Sequence, residues 1–124
     1  MPTITWFEIP ADNTGRARAF YSTLFDWLID PFPVEFREDF WMVTTTGEGA
    51  ISGEMLRRES PQDRIMVYID VPSVEAYTKR AVELGGRLVA EKAAVPGMGY
   101  YAVCEDTEGN RFGLWETNPA AQRA

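Results

Sequence analysis

TITWFEIPADNTGRARAFYSTLF (residues 3–25) carries two periods in succession. Residues 3–9 are β-branched and aromatic, the composition of a strand. Ala17, Phe20, Tyr21 and Leu24 then recur every three to four residues, the spacing of one helix face. Asp12, Asn13 or Thr14 supplies the cap. RIMVYIDVPSVEAYTKRAVEL (64–84) repeats the succession with a strand over 64–71 and Ser73 as N-cap, although Ala76 stands where a full capping box needs Glu or Gln. Gly85-Gly86 end that helix as a C-cap pair.

Three strand-like segments follow each helix. In the first half they cover 27–29, 40–46 and 50–56, with GEG (47–49) as a turn. PFPVEFRED (31–39) is a Pro-punctuated connection with an edge strand expected around 34–37. In the second half they cover 87–93, 100–106 and 110–116, joined by VPGMG (95–99) and TEG (107–109). RRESPQD (57–63) is polar and reads as the linker, with Arg57 and Arg58 in solvent, and NPAAQRA (118–124) as a frayed tail. The expected fold class is α+β: one domain over 1–124, built of two tandem βαβββ units at 3–56 and 64–117.

Residue matches support the duplication. Leu24 and Leu84, Val43 and Val103, Glu48 and Glu108, Gly49 and Gly109, and Gly53 and Gly113 are all 60 residues apart, and Trp41 matches Tyr101 at that offset. The first strands match better at 62: Ile4 with Met66, Trp6 with Tyr68, Glu8 with Asp70. Alternation then assigns faces. Thr5, Phe7 and Ile9 go under the first helix, and Val67, Ile69, Val71, Phe112 and Leu114 under the second. Ile4, Trp6, Glu8, Met66, Tyr68, Asp70, Arg111, Gly113 and Trp115 point away. Those away-facing sets are aromatic and charged, the composition of a ligand pocket.

Each candidate has a chemical and a plainer reading. Trp6, Tyr68 and Trp115 form an aromatic floor, or a packed core or dimer interface. Trp41 and Tyr101 join that floor or pack inside, with core packing expected for at least one of them. Glu8 and Asp70 orient a cationic or hydroxylated ligand, serve as a base with a raised pKa, or are solvated rim carboxylates. Arg111 binds a carboxylate or phosphate, or neutralises Glu8 or Asp70. Met98, in PGMG (96–99), is an adaptable contact on a mobile lip, or sits in a tight turn. Cys104 has no histidine partner and lies near Glu105 and Asp106, which marks a buried structural thiol rather than a nucleophile.

Composition excludes several classes. Twelve basic against 19 acidic residues give a net charge of −7, unlike the basic face of a nucleic-acid binder. Hydrophobic residues at 45% and charged residues at 25% suit a globular chain rather than a disordered one. No apolar run is long enough to span a bilayer, and MPTITWFEIP lacks a secretion signal. One cysteine permits no intrachain disulfide and suits a reducing cytoplasm. With no histidine, the usual neutral-pH acid–base residue is missing.

WFEIPADNTGRARAFYSTLFDW (6–27) and VPGMGYYAVCEDTEGNRFGLWE (95–116) resemble the vicinal-oxygen-chelate superfamily of glyoxalase I, extradiol dioxygenases and bleomycin-resistance proteins, and the second block is most similar to its glyoxalase-like branch. The resemblance covers residues 3–117. It implies paired βαβββ units that curl a sheet into a cup, and commonly a homodimer. It also implies metal donors, one in the first and one in the last strand of each unit. Carried over, those positions are Ile4, Gly53, Met66 and Gly113, none with a nitrogen or oxygen side-chain donor. The register at Gly53 is the least secure, since a slip of one residue turns Glu54 inward and still supplies a single donor.

The expectation is therefore a metal-independent protein without a cofactor that binds an aromatic or cationic small molecule. A metal-free lyase or isomerase with a pocket carboxylate as base is the alternative. An interaction module whose cup is filled by its own side chains is the second.

Overall fold

The computed structural model describes residues 2–124 and divides the chain into two compact units. One is Trp6–Ile65; the other gathers Met66–Ala124 with the residues up to Thr5. In chain order the first set of elements is β1 (Thr3–Ala11), α1 (Thr14–Phe25), β2 (Leu28–Pro31), β3 (Phe40–Thr44) and β4 (Gly53–Arg57). The second is β5 (Met66–Asp70), α2 (Val74–Glu83), β6 (Arg87–Val95), β7 (Gly99–Glu105) and β8 (Arg111–Thr117). Both sets read βαβββ, so the fold is α+β and the duplication is real.

The pairing pattern repeats as well. In the first set the strands lie in the order β2-β3-β4-β1, with β1 parallel to β4 and the other neighbours antiparallel. The second has the order β5-β8-β7-β6, with β5 parallel to β8. A parallel pair needs a long crossover, and the helix and two strands between its members supply it.

Each helix covers one face of its sheet. Ile9, Ala11, Val43 and Met55 are buried beneath α1 and packed by Phe7, Ala17, Tyr21, Trp27, Ile29 and Trp41. Val71, Val74, Ala102, Cys104 and Leu114 are buried beneath α2, with Ile69, Tyr77 and Phe112 against them. Burial holds the Cys104 thiol above its usual pKa, as a structural thiol requires. The caps are those the sequence offers. Asn13 Oδ1 accepts from Arg16 N at 2.9 Å, and Ser73 Oγ accepts from Ala76 N at 3.1 Å. Gly85, at φ 100°, turns the chain out of α2 where a side chain would be strained.

Three expectations need correction. Residues 34–37 form an irregular connection, not an edge strand; Phe36 packs its ring 5.5 Å from Phe40. The segment 57–63 is tied down: Arg58 pairs with Asp12 at 3.0 Å, and Asp63 Oδ2 accepts from Glu59 N and Ser60 N, each at 3.1 Å. The tail is anchored as far as Ala121, which is buried and whose carbonyl accepts from Gly97 N at 3.0 Å. No helix among the described residues is long and apolar enough to cross a membrane.

Candidate functional site

The sheet face away from α1 carries the chemistry of the first unit. Phe7, Ile9 and Ala11 take the helix side of β1, which sends Trp6 and Glu8 to the other. Gly53 and Met55 take the helix side of β4, which sends Glu54 away. The parallel register sets Glu8 directly opposite Glu54, and β3 sets Met42 opposite Glu54 on its other flank. All four side chains are half-buried.

Glu54 is the centre of this group. Trp6 Nε1 donates to its Oε1 at 2.6 Å. Burial, then a hydrogen bond to Glu8 and the charge of Glu8, hold the Glu54 carboxyl well above the usual carboxylate range; the Trp6 bond and the Arg37 charge oppose them. The Glu54 carboxyl is thereby biased toward its protonated form and is hydrogen-bonded to Glu8. Two carboxyls thus stand side by side, with the Trp6 indole donating to one of them. Such a pair offers an acceptor to an incoming amine or hydroxyl, and a proton that can move.

Of the two registers left open at Gly53, the structure takes the one that turns Glu54 away from the helix. Gly53, the position carried over from the resemblance, lies on the helix side, where an added Cβ would stand 2.5 Å from Phe7 Cδ1. Strand pairing gives the true equivalences. Glu54 opposes Glu8 as Trp115 opposes Asp70, an offset of 61, and Met42 opposes Glu54 as Tyr101 opposes Trp115, an offset of 59. Odd offsets invert the faces that an offset of 60 assigns. The signal for Glu54 was the alternation in GEML: with Met55 in the core, its neighbour must face the other way.

Trp41 lies on the helix side, the packing alternative left open for it. It opposes Met55, lies against the first core, and carries the Arg18 guanidinium 3.7 Å from its ring centroid. Its Nε1 donates to Asp39 at 2.9 Å. Asp39 also accepts from Thr14, and these two bonds, Thr14 first, hold its carboxyl below the usual range.

In the second unit Tyr68, Asp70, Tyr101, Arg111 and Trp115 share the face away from α2. The registers are Tyr68 with Gly113, Asp70 and Tyr101 with Trp115, and Glu105 with Arg111. Arg111 Nε lies 3.9 Å from Glu105 Oε2, which Arg87 also contacts at 3.0 Å, so Glu105 is a carboxylate partner of Arg111. Met98 sits in the β6–β7 turn. Its N–H donates to Val95 O at 3.0 Å and its carbonyl accepts from Asn118 N at 2.8 Å, so the turn is pinned by the tail rather than a free lip.

The four donor positions implied by the resemblance do not fit a divalent ion. Ile4 and Met66 have no nitrogen or oxygen donor, and Glu54, in place of Gly53, is a lone carboxyl already hydrogen-bonded to Glu8. Gly113 lies beneath the Tyr68 ring. Among the described residues, no group of three or more His, Cys, Asp or Glu side chains comes together.

A duplicated βαβββ chain with a polar and aromatic inner face is the architecture of the glyoxalase, bleomycin-resistance and dioxygenase fold. The chain belongs to the glyoxalase-like domain family, whose profile matches residues 6–115. It is 26% identical over 121 residues to the proteins named "Putative glyoxylase CFP32" of Mycobacterium tuberculosis and Mycobacterium bovis. That match covers 94% of this chain but 45% of the relatives, so the chain spans about half their length. Among solved structures it is similar to methylmalonyl-CoA epimerase of Mycobacterium tuberculosis, with TM-score 0.68 and 16% identity over 94% of this chain and 88% of that one. A glyoxalase/bleomycin resistance protein/dioxygenase superfamily member of Vibrio splendidus 12B01 gives TM-score 0.65 and 13% identity over 94% and 99%. At these identities the structural likeness speaks for the fold.

Proposed function

We propose that this chain binds an organic small molecule through side chains rather than through a divalent ion, with Glu8 and Glu54 beneath Trp6 as the polar recognition point. The carrying observation is the Glu54 carboxyl, which is hydrogen-bonded to Glu8 and accepts from the Trp6 indole at 2.6 Å. Half-burial raises the strength of each such bond, and a paired carboxylate favours a ligand bearing an amine or hydroxyl. A protonated amine on an aromatic body also gains from the indole face.

Calorimetric titration with tryptamine, and with a panel of aromatic amines and alcohols, tests the reading. A binder is expected to lose affinity roughly tenfold or more in Glu8→Gln and in Trp6→Ala, the scale of one charge-assisted hydrogen bond. No binding anywhere in the panel, or binding indifferent to both substitutions, sinks it.

The same pair supports a second reading as a proton-transfer catalyst, a lyase or isomerase, because two hydrogen-bonded carboxyls, one of them raised above its usual pKa, stand adjacent. A bound compound would then exchange a carbon-bound proton for deuterium in heavy water, and Glu8→Gln would stop it. Exchange that persists in Glu8→Gln removes that role.

A further inference from the structure

The connection that follows β4 forms one side of a cleft within the first unit. Its volume is about 510 Å³, and Asp12, Arg58, Glu59, Ser60, Pro61 and Arg64 line it. A turn over 60–63 shapes it. Asp63 N donates to Ser60 O at 3.0 Å, while Asp63 Oδ2 accepts from the N–H groups of Glu59 and Ser60. The carbonyls of this turn meet two guanidiniums. Arg64 Nη1 donates to Pro61 O at 2.6 Å and to Asp63 O at 2.9 Å, and Arg58 Nη1 donates to the same Asp63 O. Two donors on one oxygen stand no more than about 6 Å apart.

Like charges so placed repel, and a shared carbonyl cancels neither. The two carboxylates of the lining are each matched already. Asp12 holds Arg58 Nε at 3.0 Å, and Glu59 holds Arg37 at 3.1 Å. An arginine carries five N–H groups. At Arg64 the bonds to Pro61 and Asp63 occupy Nη1, and among the described residues nothing hydrogen-bonds its Nε–Nη2 edge. At Arg58 the bonds to Asp12 and Asp63 occupy Nε and Nη1 and leave Nη2. A guanidinium edge is the planar fork that takes two oxygens of one anion.

We propose that this cleft binds the phosphate group of a small organic phosphate, with two oxygens on the Nε–Nη2 edge of Arg64 and a third on Arg58 Nη2. A phosphate monoester suits two converging guanidiniums better than a carboxylate does. It brings three acceptor oxygens and nearly two negative charges at neutral pH, against two oxygens and one charge. The cleft is of the size that also admits the organic part. Neither Glu8 nor Glu54 lines it, so the site does not rest on the carboxyl pair.

Nitrogen-15 NMR of the whole chain tests it, with phenyl phosphate, benzoate and sodium chloride titrated at matched ionic strength and neutral pH. Phenyl phosphate is expected to shift the Nε–H signals of Arg58 and Arg64 and the amides of 59–63 saturably, and to bind roughly tenfold tighter than benzoate. Arg64 is exposed, so its replacement leaves the core untouched. Arg64→Gln is expected to lose roughly tenfold or more in affinity. Arg64→Lys, which keeps the charge without the fork, is expected to bind more weakly than the native chain. Shifts no larger than those sodium chloride produces overturn the proposal. So do benzoate bound as tightly as phenyl phosphate, an Arg58 signal that stays still, and native affinity in either Arg64 variant.

Discussion

A glutamate in an unfolded chain titrates in the ordinary carboxylate range, and Glu54 is raised above it because three things act on one carboxyl. Water is removed from it, Glu8 hydrogen-bonds it, and the negative charge of Glu8 resists a second charge. Linkage follows. The folded state holds the Glu54 proton to higher pH than the unfolded chain does, so over the interval between the two titrations the native state binds more protons. Its contribution to stability is complete below the unfolded pKa and is lost as pH rises through the folded one. The urea midpoint is expected to fall as pH climbs above the ordinary carboxylate range, and to fall less steeply in Glu54→Gln, whose amide still bonds Trp6 and Glu8. An unchanged slope in that variant removes Glu54 as the titrating group. Beside it, Met55 is fully buried, and Met55→Ala is expected to cost about 2–5 kcal/mol in denaturant unfolding. Alternation made Trp6 and Glu8 legible from letters alone, since hydrophobic neighbours fix their face. Glu54 was legible only as a one-residue slip, because a matching pair of glycines favoured Gly53. Phe7 lies over Gly53 on the helix side and Tyr68 over Gly113 on the other, so the same demand for a bare backbone arises on opposite faces.

Helices and strands were the most readable elements, because their signals are local. Asn13 and Ser73 do what short polar side chains do before a helix. Asn13→Ala is expected to destabilise by about 1 kcal/mol, measurable as a shift in urea midpoint at constant slope. No shift would mean that the Asn13 carbonyl bond to Ala17 N, 3.0 Å long, suffices to start α1. The connections read worse. In 31–39 the alternation of Phe32, Val34 and Phe36 imitates a strand, but Phe32 and Phe36 both turn onto Phe40, with Phe32 4.6 Å away. The final residues are small and polar, which suggests fraying, yet Ala121 is buried and bonded to the β6–β7 turn. Such docking depends on a partner distant in sequence, and no local pattern reports it. Removing residues 118–124 is therefore expected to lower Tm and to speed amide exchange at Gly97, whose N–H loses its acceptor, while exchange in α1 stays slow. Equal acceleration everywhere would mean that the tail supports the whole fold rather than its turn.

A chain of net charge −7 surrounds any site it carries with a negative potential, and the acidic pair at Glu8 and Glu54 lies within it. A cationic ligand is attracted by both, the pair acting at contact and the net charge over a distance set by salt. Between about 10 mM and 1 M salt the screening length shrinks from about 30 Å to about 3 Å, so the long-range part disappears while the contact part persists. Affinity for N-methylquinolinium is therefore expected to drop with added sodium chloride and then level off above zero. A neutral analogue, quinoline at a pH above its own pKa, should show little salt dependence. A ligand held at 100 times its dissociation constant adds about 2.7 kcal/mol to unfolding, enough to raise Tm by several degrees in a chain of this length. If the residual high-salt stabilisation is the same in Glu8→Gln as in the native chain, the contact part does not come from the carboxyl pair. The attraction would then belong to the charge of the molecule as a whole. If it vanishes in the variant, the ligand is held where Trp6, Glu8 and Glu54 converge, and the net charge only gathers it there.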